Sequence, residues 1–495
     1  MKPLILPACL ASLVSAAWAT DIPVSAGQSI QAAIQSASPG DRLLVAPGTY
    51  LGGIDLLGKA IEIQGVGGPG VTIIDAELAG RAVTMLNAEG PQTILRGLTI
   101  TRGSMPYTAG GVVTNGTPTL IDCVIRQNYG RAGAGVSGSP TMTDCIIEDN
   151  VSSLNHGGGV YGHPTMTRCT IRRNRCTSAD GGGLYVIGGN AVFTDCVIEG
   201  NSAVLAYSKA GGAFVHSTST ALFDHCIIAG NSAGGGNNSA YAGGIWGHAG
   251  VTLRHCTLSG NLLGVGAPHG AAVYGAAVLE DCIVFGNETP QLEGVGSVSY
   301  SLVEGGWAGA GNIDSDPLFW DMANGDYHLM AGSPCIDTGN PAGTPDPDGS
   351  LPDMGALPYD STYTGGPVNY CLAEPNSTGM AAVMGWSGSV SVASNDLTLH
   401  TAGCPAGQFG IYLMGGSQAY LPVAQGYLCV GAPLYRMDIV QTDGSGAVSV
   451  AVDNQAPALG APAIAGGDIW NFQLWYRDFG GNANFSDGLM VTFEP

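Results

Sequence analysis

The feature that most constrains this chain is a six-residue pattern, C-x-I-x-x-N, that recurs through its middle. It reads CVIRQN from Cys123, CIIEDN from Cys145, CTIRRN from Cys169, CVIEGN from Cys196 and CIIAGN from Cys226. Two looser copies follow, CTLSGN from Cys256 and CIVFGN from Cys282. Successive cysteines are 22, 24, 27, 30, 30 and 26 residues apart, and the asparagine always lies five after the cysteine. Before each copy a glycine pair or close variant opens a short apolar strand, as in GGGVY near Gly158 and GGAF near Gly212. Each period thus holds two strand signals, a fixed turn and one variable loop. That is too short for a propeller blade and lacks the leucines of a horseshoe. It suits one coil of a β-helix.

Stacking explains the residue choices. Coils pile up about 4.8 Å apart, so equivalent side chains form columns. Side chains alternate along a strand, so the cysteine and the aliphatic residue two later share the inner face. Seven stacked cysteines make an apolar column of reduced thiols, whose common direction suits disulfides poorly. The asparagine is expected to take a left-handed turn and bond to the next coil. The glycine pair permits a turn that side chains would block. Outward, Arg126, Glu148, Arg172 and Glu199 alternate in sign up the stack.

The ends differ from the middle. Residues 1–19 read as a signal peptide: Lys2, an apolar run from Leu4 to Val14, and Ala17-Trp18-Ala19 as the cleavage site. The expected protein is exported, with no membrane span. Residues 20–109 hold a capping helix near SIQAAIQS, N-capped by Ser29, and irregular first coils. Residues 110–289 are the seven regular coils, and 290–360 a turn-rich closing segment. From 368 to 495 longer alternating strands predict a separate β-sandwich. There Cys404 and Cys429 are the preferred disulfide, with Cys371 as competitor. The whole is an all-β chain: a right-handed parallel β-helix followed by a smaller sandwich.

Composition excludes some functions. The formal charge is −22, from 38 acids against 16 bases. Such a surface repels nucleic acid and anionic membranes, and polyuronates too unless a cation or local basic site intervenes.

The motifs also resemble known families. The IQAAI…PGD…V.PGTY opening is similar to the N-terminal cap of right-handed parallel β-helix proteins, a superfamily that includes pectate-lyase-like enzymes. The glycine strands with I-x-x-N resemble repeats of polymorphic outer-membrane adhesins. The segment DPLF…DYHL..GSPCID.G…DMGA looks like the end of a β-helix class of secreted bacterial proteins. YCLAEPNSTG, FGIYLMG and WNFQLWYRD resemble a module appended to such proteins. These likenesses imply a fold rather than an activity. The R-x-P-x-x-R of many pectate lyases is missing, and so is the D-D pair of polygalacturonase-like hydrolases.

Candidate chemistry lies before the glycine turns, where Arg131, His156, Asp180, Lys209, Tyr241 and His269 would form one polar column. A polysaccharide lyase needs a base for the sugar C5 proton and a cation for the neighbouring carboxylate. Lys209, His156, Tyr241 and Arg131 are the candidates. A second set, His163, His216 and His248, falls at the far ends of the glycine strands, with fewer ligands than the roughly four of a closed zinc site. His225 and His255, one before their cysteines, are expected to face outward as neighbours. Asp346, Asp348 and Asp353 cluster in DPDGSLPD and suit Ca²⁺. Two functions follow: a scaffold that binds polysaccharide or a cell-surface glycan, or a polysaccharide lyase acting on a uronic-acid polymer.

Overall fold

The computed structural model describes residues 20–204, 208–234, 241–248, 250–264, 269–322, 325–361, 363, 366–371, 373–479 and 482–493. The expected signal peptide at 1–19 lies outside them. Backbone contacts divide the chain into two units, 1–318 with 329–359, and 319–328 with 360–495. Ten residues of the expected closing segment, Phe319–His328, thus group with the C-terminal unit.

The first unit is the β-helix. Among the described residues, four parallel sheets of twelve, eleven, ten and six strands run along the stack. Register is kept from coil to coil. Ile125, Ile147, Ile171, Ile198, Ile228 and Leu258 are successive partners, all buried. The stack extends beyond the seven regular coils, back to Asp21–Val24. That end is covered by a helix, Ile30–Ser36, which buries Ile30 and Ile34. Ser29 caps it, its hydroxyl accepting from the Ala32 amide at 3.2 Å. Inside, the seven column cysteines are free and buried, as stacking predicts. Each thiol donates to a carbonyl two residues earlier, as Cys196 does to Thr194 at 3.2 Å. No helix among the described residues is long and apolar enough to cross a membrane.

The asparagine turn differs from expectation. The left-handed residue is the one before the asparagine, for example Gln127 at φ 53°, Asp149 at 54° and Arg173 at 51°. The asparagine itself turns inward and joins a buried ladder. Asn174 donates its amide N–H and its Nδ2 to Asn201 Oδ1, both at 3.0 Å, and its Nδ2 also to Ile147 O at 2.8 Å. The same pattern runs from Asn128 to Asn287. This ladder explains the second glycine of each pair. A Cβ at Gly159 would stand 2.8 Å from Gly183 O and 3.0 Å from the Asn174 side chain. The two repeat motifs are therefore halves of one contact.

In the C-terminal unit a five-stranded and a three-stranded antiparallel sheet share one buried apolar cluster, including Met384, Leu399, Tyr412, Phe472 and Leu489. Its disulfide joins Cys371 to Cys429, with Cα atoms 6.2 Å apart, while Cys404 is free and buried. The preference for Cys404 is thus corrected. Cys371 follows the short strand Val368–Tyr370, and the Tyr370 hydroxyl donates to Cys429 O at 3.0 Å, which brings the two cysteines together. Cys404 instead packs into the shared cluster.

Candidate functional site

The polar column before the glycine turns separates into parts. Asp180 lies between His156 and Lys209: His156 Nδ1 is 3.7 Å and Lys209 Nζ 4.0 Å from its Oδ2. Its Oδ1 accepts the Lys209 backbone N–H at 2.9 Å. Burial pushes Asp180 above the usual carboxylate range, and Lys209 and His156 pull it back. Burial pushes His156 down, with Asp180 opposing. Tyr241 belongs to a second group, stacked on His269 at 4.5 Å, whose Nδ1 is 3.1 Å from Glu293. Arg131 is exposed and joins neither; among the described residues its side chain has no hydrogen-bond or ion-pair partner. Its carbonyl serves the fold, accepting from Ser152 Oγ at 2.6 Å.

Lys209 also lies over the rings of Phe214 and Trp246, 5.5 and 5.1 Å from their centroids. A carboxylate and two ring faces are partners for a cation, not for the neutral amine a base requires. Of the four candidates, His156 is pushed by burial towards the neutral imidazole a base requires, while Lys209 sits beside a carboxylate and two ring faces.

The three aspartates expected to hold Ca²⁺ are engaged otherwise. Asp346 accepts the Asp353 amide at 2.8 Å, and Asp353 accepts those of Asp337 and Tyr359 at 2.7 and 2.6 Å. Asp348 closes a turn on Ser350. Among the described residues, no three His, Cys, Asp or Glu side chains are arranged to hold a metal ion.

A cleft of about 730 Å³ opens elsewhere in the β-helix unit. One wall is the pair of residues before each late cysteine: Asp195, then Asp224-His225, Arg254-His255 and Glu280-Asp281. The other wall is the closing segment, 343–347 and 356–358. Local bonds hold that segment in place. Asn340 donates its amide to Asp281 Oδ1 at 2.5 Å and its Nδ2 to Glu280 Oε1 at 2.7 Å. Ala356 donates to Thr257 Oγ1 at 3.0 Å.

The cleft is densely titratable. The His225 and His255 rings stack at 4.6 Å. His225 Nδ1 is 3.3 Å from Asp224, His255 Nε2 3.7 Å from Asp281, and Arg254 Nε 3.5 Å from Glu280. His225 holds Asp224 below the usual carboxylate range, and Asp224 raises His225 in return. Burial pushes Asp281 and Asp346 up. The arrangement presents acidic and basic side chains to polar groups at coil spacing. Sequence reasoning saw only the two histidines and Asp346. The missed signal is local: the doublets are Thr143-Asp144 and Thr167-Arg168 on earlier coils, but the last three coils replace threonine with charge.

Comparison with known proteins gives a likeness of fold. A family model described as right handed beta helix region matches residues 138–306. The pectate lyase Pel9A crystal structure is 15% identical, covering 69% of this chain and 97% of its own, at a TM-score of 0.45. The PL6-family alginate lyase AlyGC is 12% identical, covering 63% and 56%, at a TM-score of 0.22. No curated protein matches the chain.

Proposed function

We propose that this is an exported β-helix protein that binds a polysaccharide in the cleft beneath its closing segment. The cleft itself carries the reading: it is open, roomy enough for several sugar rings, and floored by charged side chains repeating at the coil spacing. Asp195, Asp224, Glu280, Asp281 and Asp346 outnumber Arg254 there, which favours neutral or amine-bearing sugars over uronates. Calorimetric titration of the full chain with neutral and glucosamine hexasaccharides tests it. Binding abolished by Asp224→Ala or Arg254→Ala is expected; no binding to any sugar rejects the reading.

A second reading, a lyase acting on a uronic-acid polymer, is favoured by one observation: Asp180 bridging His156 and Lys209. Incubation with polygalacturonate and alginate, followed by ultraviolet absorbance of unsaturated product, tests it. Product lost in His156→Ala supports a lyase; no product on either polymer excludes it.

A further inference from the structure

We propose that the C-terminal unit carries a binding site of its own, for a small free carboxylic acid with an apolar body: one aromatic ring or a short alkyl chain. An antiparallel sheet that covers a core with one face normally shows polar side chains on the other. The five-stranded sheet departs from that. Tyr412, Met414, Leu474 and Tyr476 join the shared apolar cluster, so alternation sends Ile411, Leu413 and Trp475 to the opposite face. Ile411, Trp475 and Phe485 lie in register on three adjacent strands, Phe409–Val423, Ile469–Arg477 and Ala483–Thr492. They make an apolar floor outside the core.

A wall stands over this floor. Gln473 is on the same face, opposite Leu413. Its side chain accepts the Cys429 N–H at 2.9 Å and donates to Tyr427 O at 2.9 Å. The disulfide from Cys371 fixes Cys429 a second time. The start of the strand Gly426–Gln441 is thereby pinned in place, and with it Leu428. Leu434, 45% exposed, forms the open rim. The hollow holds about 250 Å³, just under the roughly 300 Å³ at which pockets for drug-sized ligands begin. One ring or a short chain fits, and the pinned wall forms the hollow before any ligand arrives.

Arg436 supplies the charge. It stands opposite Leu413 across the ladder, so it shares the outer face, and it lines the hollow. It is exposed, and its guanidinium has no hydrogen-bond or ion-pair partner among the described residues. The chain has 38 acids against 16 bases, so an arginine left unpaired beside an apolar hollow stands out. No carboxylate lines the hollow among the described residues. Such a lining disfavours amines and gives neutral molecules nothing from the charge. A carboxylate uses it, because its two oxygens match the guanidinium fork in parallel bonds.

Ligand-observed NMR titration of the full chain with hydrocinnamate and hydrocinnamyl alcohol tests the site. The two probes share ring and chain and differ in charge. The acid should bind about tenfold tighter, the gain of one charge-assisted hydrogen bond at an exposed site. Arg436→Gln should erase that difference and leave the alcohol unaffected. Leu434→Asp puts an opposing charge at the rim and should weaken the acid more than the alcohol. Both positions are exposed, so both variants should melt with the wild type. Equal binding of the two probes by the wild type, an acid preference that survives Arg436→Gln, or no saturable binding of the acid overturns the proposal. Asp224→Ala, in the β-helix cleft, should leave the titration unchanged, so this site and the sugar reading can fail separately.

Discussion

Asp487, in the C-terminal unit, is buried with its carboxylate accepting the Met384 amide at 2.6 Å and Asn369 Nδ2 at 2.8 Å. Burial nevertheless dominates and pushes it up to about 6, from 3.8. A carboxyl raised in the folded state favours folding below its unfolded pKa and loses that advantage as pH climbs through the folded one. The window here is therefore about pH 4 to 6, and the loss is about 3 kcal/mol. Asp487→Asn removes the titration and shifts stability by a constant amount. The stability difference between wild type and variant, from melts at pH 4 to 7, should change across that window. A flat difference would show that the carboxyl is not burdened by burial.

At the scale of the element, the coil depends on the meeting of asparagine and glycine. Asn201 accepts two N–H groups from Asn174 and donates to Ile171 O at 2.8 Å, fully buried. Asn201→Ala strands those donors in the core and should cost about 3 kcal/mol or more. Cys196→Ala, on the same coil, loses mainly apolar volume and should cost less. Urea unfolding of both variants makes the comparison; a cysteine loss larger than the asparagine loss would contradict the ladder. The coil was legible because its spacing repeats, so seven copies pointed to the same inward columns. The ladder was not. A fixed asparagine suits both a left-handed turn and a buried amide chain, and only the path of the neighbouring coil decides. The disulfide was hidden for a similar reason: spacing does not say which strand comes to lie beside Cys429.

At the scale of the whole β-helix unit, the cleft depends on residues far apart in sequence. Charged doublets from Asp224 to Asp281 break the threonine pattern, a local signal that the sequence analysis did not use. That the closing segment would lie over them was not, because its turn-rich sequence carries no period. Bonds that hold the wall include Asn340 N–H to the Asp281 carboxylate, Asn340 Nδ2 to Glu280, Gly355 N–H to Asp281 O at 2.8 Å and Ala356 N–H to Thr257 Oγ1 at 3.0 Å. In a solenoid each coil contacts mainly its neighbours, so damage at one end stays local. Asp281→Ala deletes the acceptor of the Asn340 amide and should loosen the segment by about 2 kcal/mol. Amide exchange at Asn340 should then quicken roughly thirtyfold, while amides of the ladder from Asn128 to Asn201 keep their protection. The sugar binding proposed for the cleft should weaken with it, because the segment supplies one wall. Uniformly faster exchange along the ladder would mean instead that the closing segment supports the entire stack, and that the cleft cannot open without unfolding it.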